Sequence, residues 1–437
     1  MRKKIKSAEK LRVPYALSVH GREEERAVAA VIREHRTNTG REVSAFEKDI
    51  AKVFAKKYGV MVNSGSSANL LAIEILNLPP GSEVITPALT FNTTVAPLLQ
   101  KGLVPVFVDV KLGTYLIDVD AIEKHITKKT RALMIPLLIG NIPDMARLRA
   151  IANKHKLFFI EDSCDTLGAT FRGKPTGTWS DISTTSFFGS HIINAAGGGG
   201  MIMVNDQKWY RQLLVLRGWG RSSSLFAESE DMSIRFASNL EGIPYDGKFI
   251  FTEVGYNFLP LEISAAFGRV QLSKLGKFTK TRQKNFATLT TFFSKYKDIF
   301  DLPIQNKEVR TNWLAYPLMI RDSAPFERLE LVQFLEQNNI QTRPVFTGNI
   351  LRQPVISRAS INVAGDYVAI NHETHRQVVT KLASSLKTVS HPNTDQIMRR
   401  AFLIGCHHGI ESVHIKRIQS AFEEFLSSHG IQKTNRI

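Results

Sequence analysis

The chain has 437 residues, 43% of them hydrophobic, which is enough to bury a large core and ordinary for a globular protein. It holds no unbroken apolar run of about 18 residues, so a membrane-spanning helix is excluded, and no secretory hydrophobic stretch follows the basic start Met1-Arg2-Lys3-Lys4, so a cytoplasmic location is expected. Lysine and arginine outnumber aspartate and glutamate by 57 to 40, a net charge of +17 that favours anionic partners; the basic residues are scattered, without zinc-finger spacing or a basic heptad helix, so a phosphate-bearing small molecule is expected and nucleic acid is not.

Helical periodicity runs over 23–35 and 42–58, broken by the turn Thr37-Asn38-Thr39-Gly40. Strands and helices then alternate. Apolar strands are expected at 83–85, 104–108, 132–137, 158–160 and 201–204, with helices such as 68–76 and 145–155 between them. This order predicts an α/β fold with a large, mostly parallel sheet covered by helices. Beyond about residue 270 the pattern changes to a helical stretch at 270–296, a strand at 314–320, a helix at 326–336, a loop at Thr342-Arg343-Pro344 and a final helix at 413–426. A smaller α+β C-terminal domain is expected over 270–437, after an N-terminal and large domain over 1–269.

Several short motifs carry possible chemistry. Asn63-Ser64-Gly65-Ser66-Ser67-Ala68 precedes a helix whose amides and hydroxyls could hold a phosphate; the same residues also fit a serine N-cap. Phe91 follows a strand and could stack on a flat heterocycle, or lie in the core. Asp162 ends the apolar run at 157–160, where open sheets gather ligands, though it could equally cap the next turn. A carboxylate against a pyridine nitrogen keeps that ring protonated, the condition for an electron sink. Downstream, Ser186-Phe187-Phe188-Gly189-Ser190-His191 leads into Gly197-Gly198-Gly199-Gly200, and no lysine lies between Lys174 and Lys208. The two cysteines, Cys164 and Cys406, are too few for a disulfide framework or an iron-sulfur cluster, so no metal is expected.

Together these motifs resemble the fold type I sugar aminotransferases, the family of the DegT, DnrJ, EryC1 and StrS proteins, from Thr39-Gly40 through Pro392-Asn393-Thr394-Asp395. The resemblance implies pyridoxal or pyridoxamine phosphate as cofactor. Gly65, Ser66, Ser67 and Ser186 would hold the phosphate, Phe91 would stack on the ring, and Asp162 would meet the pyridinium. Gly255-Tyr256-Asn257 is similar to a segment whose asparagine reaches the neighbouring subunit's cofactor phosphate, which implies a homodimer with shared active sites.

Most members bind the aldehyde through a lysine where this chain has His191. The same replacement marks a subgroup, the nucleotide-sugar 3-dehydratases of 4-keto-6-deoxyhexoses. Three further stretches agree with that subgroup: 161–165, Arg217-Gly218-Trp219-Gly220-Arg221, and 342–354. One branch carries an iron-sulfur cluster, but Ser222-Ser223-Ser224 stands where its later cysteines would fall, which leaves the branch that recycles the cofactor with L-glutamate. The run at 197–200 departs from a Gly-Glu-Gly-Gly element and adds a residue before it, which would shift His191.

The implied activity is removal of the C3 hydroxyl of a nucleotide-diphosphate sugar, with His191 as general acid and base. Arg343, Asn349 and Arg352 are expected to bind the sugar diphosphate, since guanidinium pairs with phosphate through two hydrogen bonds. The alternatives are an aminotransferase acting on nucleotide sugars and a catalytically silent cofactor-binding homologue.

Overall fold

The fold is taken from a computed structural model that describes residues 11–226, 230–357, 362–363, 366–367 and 390–432; the basic start of the chain lies outside them. Two helices open the described chain, α1 (Arg22–Arg33) and α2 (Arg41–Val53), and α2 buries Val43, Phe46, Glu47, Ile50 and Ala51 at helical spacing. Ala55 (φ +54°) then turns the chain into the first strand.

Seven strands make the large sheet: β1 (Tyr58–Val62), β2 (Glu83–Pro87), β3 (Val104–Val108), β4 (Thr130–Pro136), β5 (Phe158–Asp162), β6 (Ile182–Ser186) and β7 (Gly200–Val204). Their spatial order is β1-β7-β6-β5-β4-β2-β3, and only β7 runs antiparallel to its neighbours. The pleat sorts side chains onto two faces. Val60, Val62, Ile160, Ile202 and Val204 pack with Leu71 of α3 (Gly65–Glu74) and with Leu213 and Leu216 of α6 (Gln207–Arg217). On the other face Ile85, Leu133, Ile135 and Phe159 meet Leu148 and Ile151 of α5 (Met145–His155), while Met61, Met201 and Met203 meet α2. Helices thus cover both faces, as the alternating sequence pattern predicts. The remaining helix of this layer, α4 (Asn92–Gln100), follows β2.

Two strands escape the sequence pattern. The expected helix 42–58 runs past the end of α2 at Val53 to Tyr58, the first residue of β1, and the sequence pattern marks no strand there. The sequence of β6, Ile-Ser-Thr-Thr-Ser, reads as polar, yet every residue is buried. Its hydroxyls are satisfied internally: Thr184 Oγ1 donates to Asn69 Oδ1 (2.6 Å) and Thr185 Oγ1 donates to the Ser163 carbonyl (3.0 Å).

The helix expected from residue 270 begins earlier, as α7 (Glu262–Ser273), and Lys274 separates it from α8 (Leu275–Phe293). The line at 269/270 therefore falls inside α7. Beyond it a four-stranded antiparallel sheet forms from β8 (Phe300–Asp301), β9 (Tyr316–Ile320), β10 (Thr342–Pro344) and β11 (Ala401–Ile404), in the order β8-β9-β11-β10. The segment Thr342-Arg343-Pro344 is thus an edge strand rather than a loop. Three helices complete this layer: α9 (Arg328–Gln337), α10 (Pro392–Arg400) and α11 (Ser412–Ser428). Phe293, Tyr316, Phe402, Phe422 and Phe425 form the centre of its core, each such ring contributing about 1.5–3 kcal/mol through burial.

Candidate active site

The carboxyl ends of β1, β2, β4, β5 and β6 open on one edge of the large sheet, and the antiparallel β7 begins there. A cavity of about 590 Å³ occupies that edge. Its walls include Gly65 and Ser66 after β1, Phe91 after β2, Leu137 after β4, Asp162, Cys164 and Asp165 from β5, Ser186 and His191 from β6, and Gly197 to Gly199 before β7. Side chains scattered over the sequence meet here because parallel strands deliver their following loops to a common edge.

At one end α3 begins. Ser64 is its N-cap, its Oγ accepting the Ser67 amide (3.1 Å), so the serine-cap reading of this motif holds for Ser64. The first-turn amides of Gly65 and Ser66 have no acceptor within the helix and carry the positive end of its dipole. Gly65 is required by space: a Cβ there would lie 2.6 Å from Ser186 Cβ and 3.0 Å from Cys164 Sγ. Ser67 does not reach the cavity. Its hydroxyl donates to Asn63 Oδ1 (2.6 Å), and the side chain is buried.

Asp162 is fixed on the cavity floor. Its Oδ2 accepts from Asn69 Nδ2 (2.8 Å) and Thr94 Oγ1 (2.9 Å), and its Oδ1 accepts the Cys164 amide (3.3 Å). Asn69 is itself held by Thr184, so two helices and two strands fix one carboxylate. The sequence reading found Asp162 and missed Asn69, Thr94 and Thr184. Asn69 was legible in principle as a buried polar residue one helical turn beyond Gly65, on the helix that opens the site.

His191 lines the same cavity, with 17% of its side-chain surface open. The amide of His191 donates to the Phe188 carbonyl (3.0 Å), closing a turn that aims the ring inward. The extra residue and the glycine run, with Ala196, Gly197 and Gly199 at positive φ, leave the imidazole inside the site. Gly198, where the resemblance implies a glutamate, has open space, the nearest atom to an added Cβ being the Asn63 carbonyl oxygen at 3.8 Å. Burial pushes the imidazole down to about 4, so it is neutral at pH 7. Its Nε2 lies 3.8 Å from Asp165 Oδ1, and burial raises that carboxyl to about 7. The other Asp165 oxygen accepts the Ile139 amide (2.9 Å). No lysine is among the described residues that line the cavity.

Phe91 is 51% exposed, so the ring is free to meet a ligand, and Phe346 packs edge-on against it at 6.1 Å between centroids. Tyr15, which sequence reasoning missed, also lines the cavity; an isolated tyrosine in an N-terminal segment carries no pattern that could have revealed it.

The residues expected to bind the sugar diphosphate are not brought into the cavity wall. Asn349 Nδ2 donates to Asp395 Oδ1 (2.8 Å), and Arg352 forms a two-point ion pair with the same carboxylate (2.6 and 2.5 Å). Both groups are occupied by Asp395. Arg343 lies one layer outside, its guanidinium 5.4 Å from the Tyr15 ring centroid. Asn257 is exposed, pairs with Gly218 in an isolated bridge, and is not among the residues that line its own chain's cavity. Among the described residues no helix is long and apolar enough to cross a membrane, and no cluster of three acidic, histidine or cysteine side chains could hold a metal ion.

Comparison with known proteins shows the family and the fold. The DegT/DnrJ/EryC1/StrS aminotransferase family matches residues 19–389. The chain is 35% identical over 398 residues to the lipopolysaccharide biosynthesis protein RfbH of Salmonella typhimurium, covering 89% of this chain and 85% of that one. It is 36% identical over 362 residues to the GDP-4-keto-6-deoxy-D-mannose 3-dehydratase of Yersinia pseudotuberculosis, covering 81% and 89% of the two chains. A solved GDP-4-keto-6-deoxymannose-3-dehydratase with a trapped PLP-glutamate geminal diamine superposes with a TM-score of 0.75 at 29% identity, covering 94% of this chain and 99% of that one. The chain belongs to the DegT/DnrJ/EryC1/StrS aminotransferase family.

Proposed function

We propose that this protein is a pyridoxamine- and pyridoxal-phosphate-dependent 3-dehydratase, removing the C3 hydroxyl of a nucleotide-linked 4-keto-6-deoxyhexose on the way to a 3,6-dideoxy sugar, with L-glutamate restoring the cofactor. The observation that carries this reading is a neutral, largely buried imidazole in the cavity that also holds Asp162, with no lysine among the described lining residues. The site's residues fit the cofactor. The amides of Gly65 and Ser66 and the Ser186 hydroxyl suit its phosphate, Phe91 offers an exposed ring, and the fixed Asp162 carboxylate suits a pyridinium nitrogen. When bound, this cofactor supplies an electron sink for the carbon next to its ring.

The protein's own part is to hold and move protons. Neutral His191 has a free lone pair with which to take a proton from the substrate side of the cavity, and the resulting imidazolium can return one to the departing C3 oxygen. A lysine there would instead attack the cofactor and favour amino transfer. Glutamate supplies the two electrons of the deoxygenation and leaves as 2-oxoglutarate with ammonia. The trapped glutamate adduct in a structural relative supports that role. Arg343, at the rim beside Tyr15, is the remaining candidate for the diphosphate.

The test is incubation of the cofactor-loaded enzyme with glutamate and a panel of CDP-, GDP- and dTDP-linked 4-keto-6-deoxy sugars, read by mass spectrometry. Loss of the C3 oxygen is expected with at least one sugar, and His191→Asn should slow it by about 10²–10⁴-fold. An amino sugar as the product, or a pyridoxyl group left on a lysine after borohydride reduction, would overturn the proposal.

A further inference from the structure

We propose that Arg282 is a positioning residue for His191, setting the base from the small domain through its main chain; this rests on His191 being the proton-transfer group. Arg282 sits on α8 and is only 1% exposed. Its donors are taken by carbonyls and a ring nitrogen rather than by a carboxylate. One terminal nitrogen donates to the Trp313 and Leu314 carbonyls (3.0 and 3.2 Å), the other to the His191 carbonyl (3.3 Å), and Nε to His408 Nδ1 (3.3 Å).

A guanidinium stripped of water is expensive to keep unless every donor is used, and the rigid fork of Arg282 gathers carbonyls from two segments that both wall the cavity. Leu314 lines the cavity beside His191. The preceding Trp313 is held at φ +37°, against a glycine whose added Cβ would lie 2.7 Å from Trp313 Cα. The Leu314 amide donates to the Ile139 carbonyl (2.7 Å), and the Ile139 amide donates to Asp165 (2.9 Å). Asp165 in turn faces His191 Nε2. Hydrogen bonds thus run from the carboxylate beside the imidazole, through two cavity-wall segments, to Arg282 and back to the histidine's own carbonyl. The ring of contacts fixes the His191 peptide and leaves the imidazole free to accept a proton.

The charge acts in the same sense. Asp162 at the end of β5 and Asp165 just after it face His191, and Arg282 faces it from α8. Tyr15, Cys406 and His408 also border the guanidinium, Tyr15 from the cavity wall. The cation opposes protonation of the imidazole, so its removal should let His191 titrate at a higher pH.

The full-length protein carrying Arg282→Gln, Arg282→Lys or His191→Asn provides the test. His191 is titrated by NMR in cofactor-free protein labelled at histidine Cε1, its resonance assigned from the His191→Asn spectrum. Kinetics are measured on the loaded enzyme. Arg282→Gln should lower kcat at least about 30-fold, hold KM within about threefold, and move the His191 midpoint upward by at least about half a pH unit. Arg282→Lys keeps the charge but lacks the fork, so the midpoint should stay while kcat falls at least about fivefold; it decides the matter alone if the glutamine variant does not fold. Unchanged kcat in either variant, or a loss matching only the unfolded fraction with the midpoint unmoved, overturns the role of Arg282. Full activity in His191→Asn would instead sink the reading of the site itself.

Discussion

A base that works only when unprotonated fails as the pH drops through its pKa. An ordinary imidazole would impose that loss near 6.5, but burial holds His191 at about 4. The acid limb of kcat/KM, which reports the free enzyme, should therefore lie below about pH 5. A limb centred on 6.5 would show that the ring is solvated in the working enzyme. The folded histidine binds its proton less readily than the unfolded one, so its contribution to stability is present above pH 6.5 and lost as the pH falls toward 4. His191 was legible in the sequence because a histidine stood where a lysine was expected. Asp165 was not, since one aspartate in an acidic run carries no sign of its burial or of the ring 3.8 Å away. Asn349 and Arg352 show the converse: residue type suggests phosphate, while in the structure both pair with Asp395, whose place beside them no local pattern discloses.

Strands and helices hold these groups through a few close contacts. The start of α3 packs against β6 so tightly that Gly65→Ala must displace Ser186 or the helix. Overpacking of this kind costs about 1–3 kcal/mol. Because the same atoms would hold the phosphate in the proposed function, affinity for pyridoxal phosphate should fall at least about tenfold, as read by fluorescence titration. A variant that binds as tightly as the parent would place the phosphate elsewhere. A second element contact is the buried pair between Arg217 at the end of α6 and Glu47 on α2 (2.6 Å), in which the guanidinium also donates to the Met61 carbonyl (2.7 Å). Arg217→Met leaves a buried carboxylate without its cation, held only by the Met61 amide (2.8 Å), and should cost about 3–5 kcal/mol in urea unfolding, most of it regained by adding Glu47→Gln. No recovery in the double variant would mean that Arg217 serves the Met61 carbonyl rather than Glu47. The alternation of strand and helix was readable from apolar spacing. Strand β6 was not, because its threonines are buried by partners on β5 and α3 that no local pattern discloses.

At the scale of the whole molecule, the segment that carries Asn257 is covered with apolar side chains that its own chain leaves open. Met232 is 71% exposed, Ile243 64%, Phe249 53%, Phe251 56% and Val254 92%. Such a surface calls for a partner, and a two-fold dimer would bring each Asn257 to the other subunit's cavity, as the family resemblance implies. Subunit mixing can test this sharing directly. In such a dimer His191→Asn would inactivate the site of its own chain, whereas Asn257→Asp would set a negative charge against the phosphate in the site of its partner. When equal amounts of the two inactive variants are unfolded and reassembled, half of the dimers are mixed, and each mixed dimer has one site bearing both lesions and one bearing neither. About a quarter of the parental activity should return. If Asn257 served its own chain's site, every site in the mixed dimer would carry one lesion and the mixture would stay as inactive as its parts.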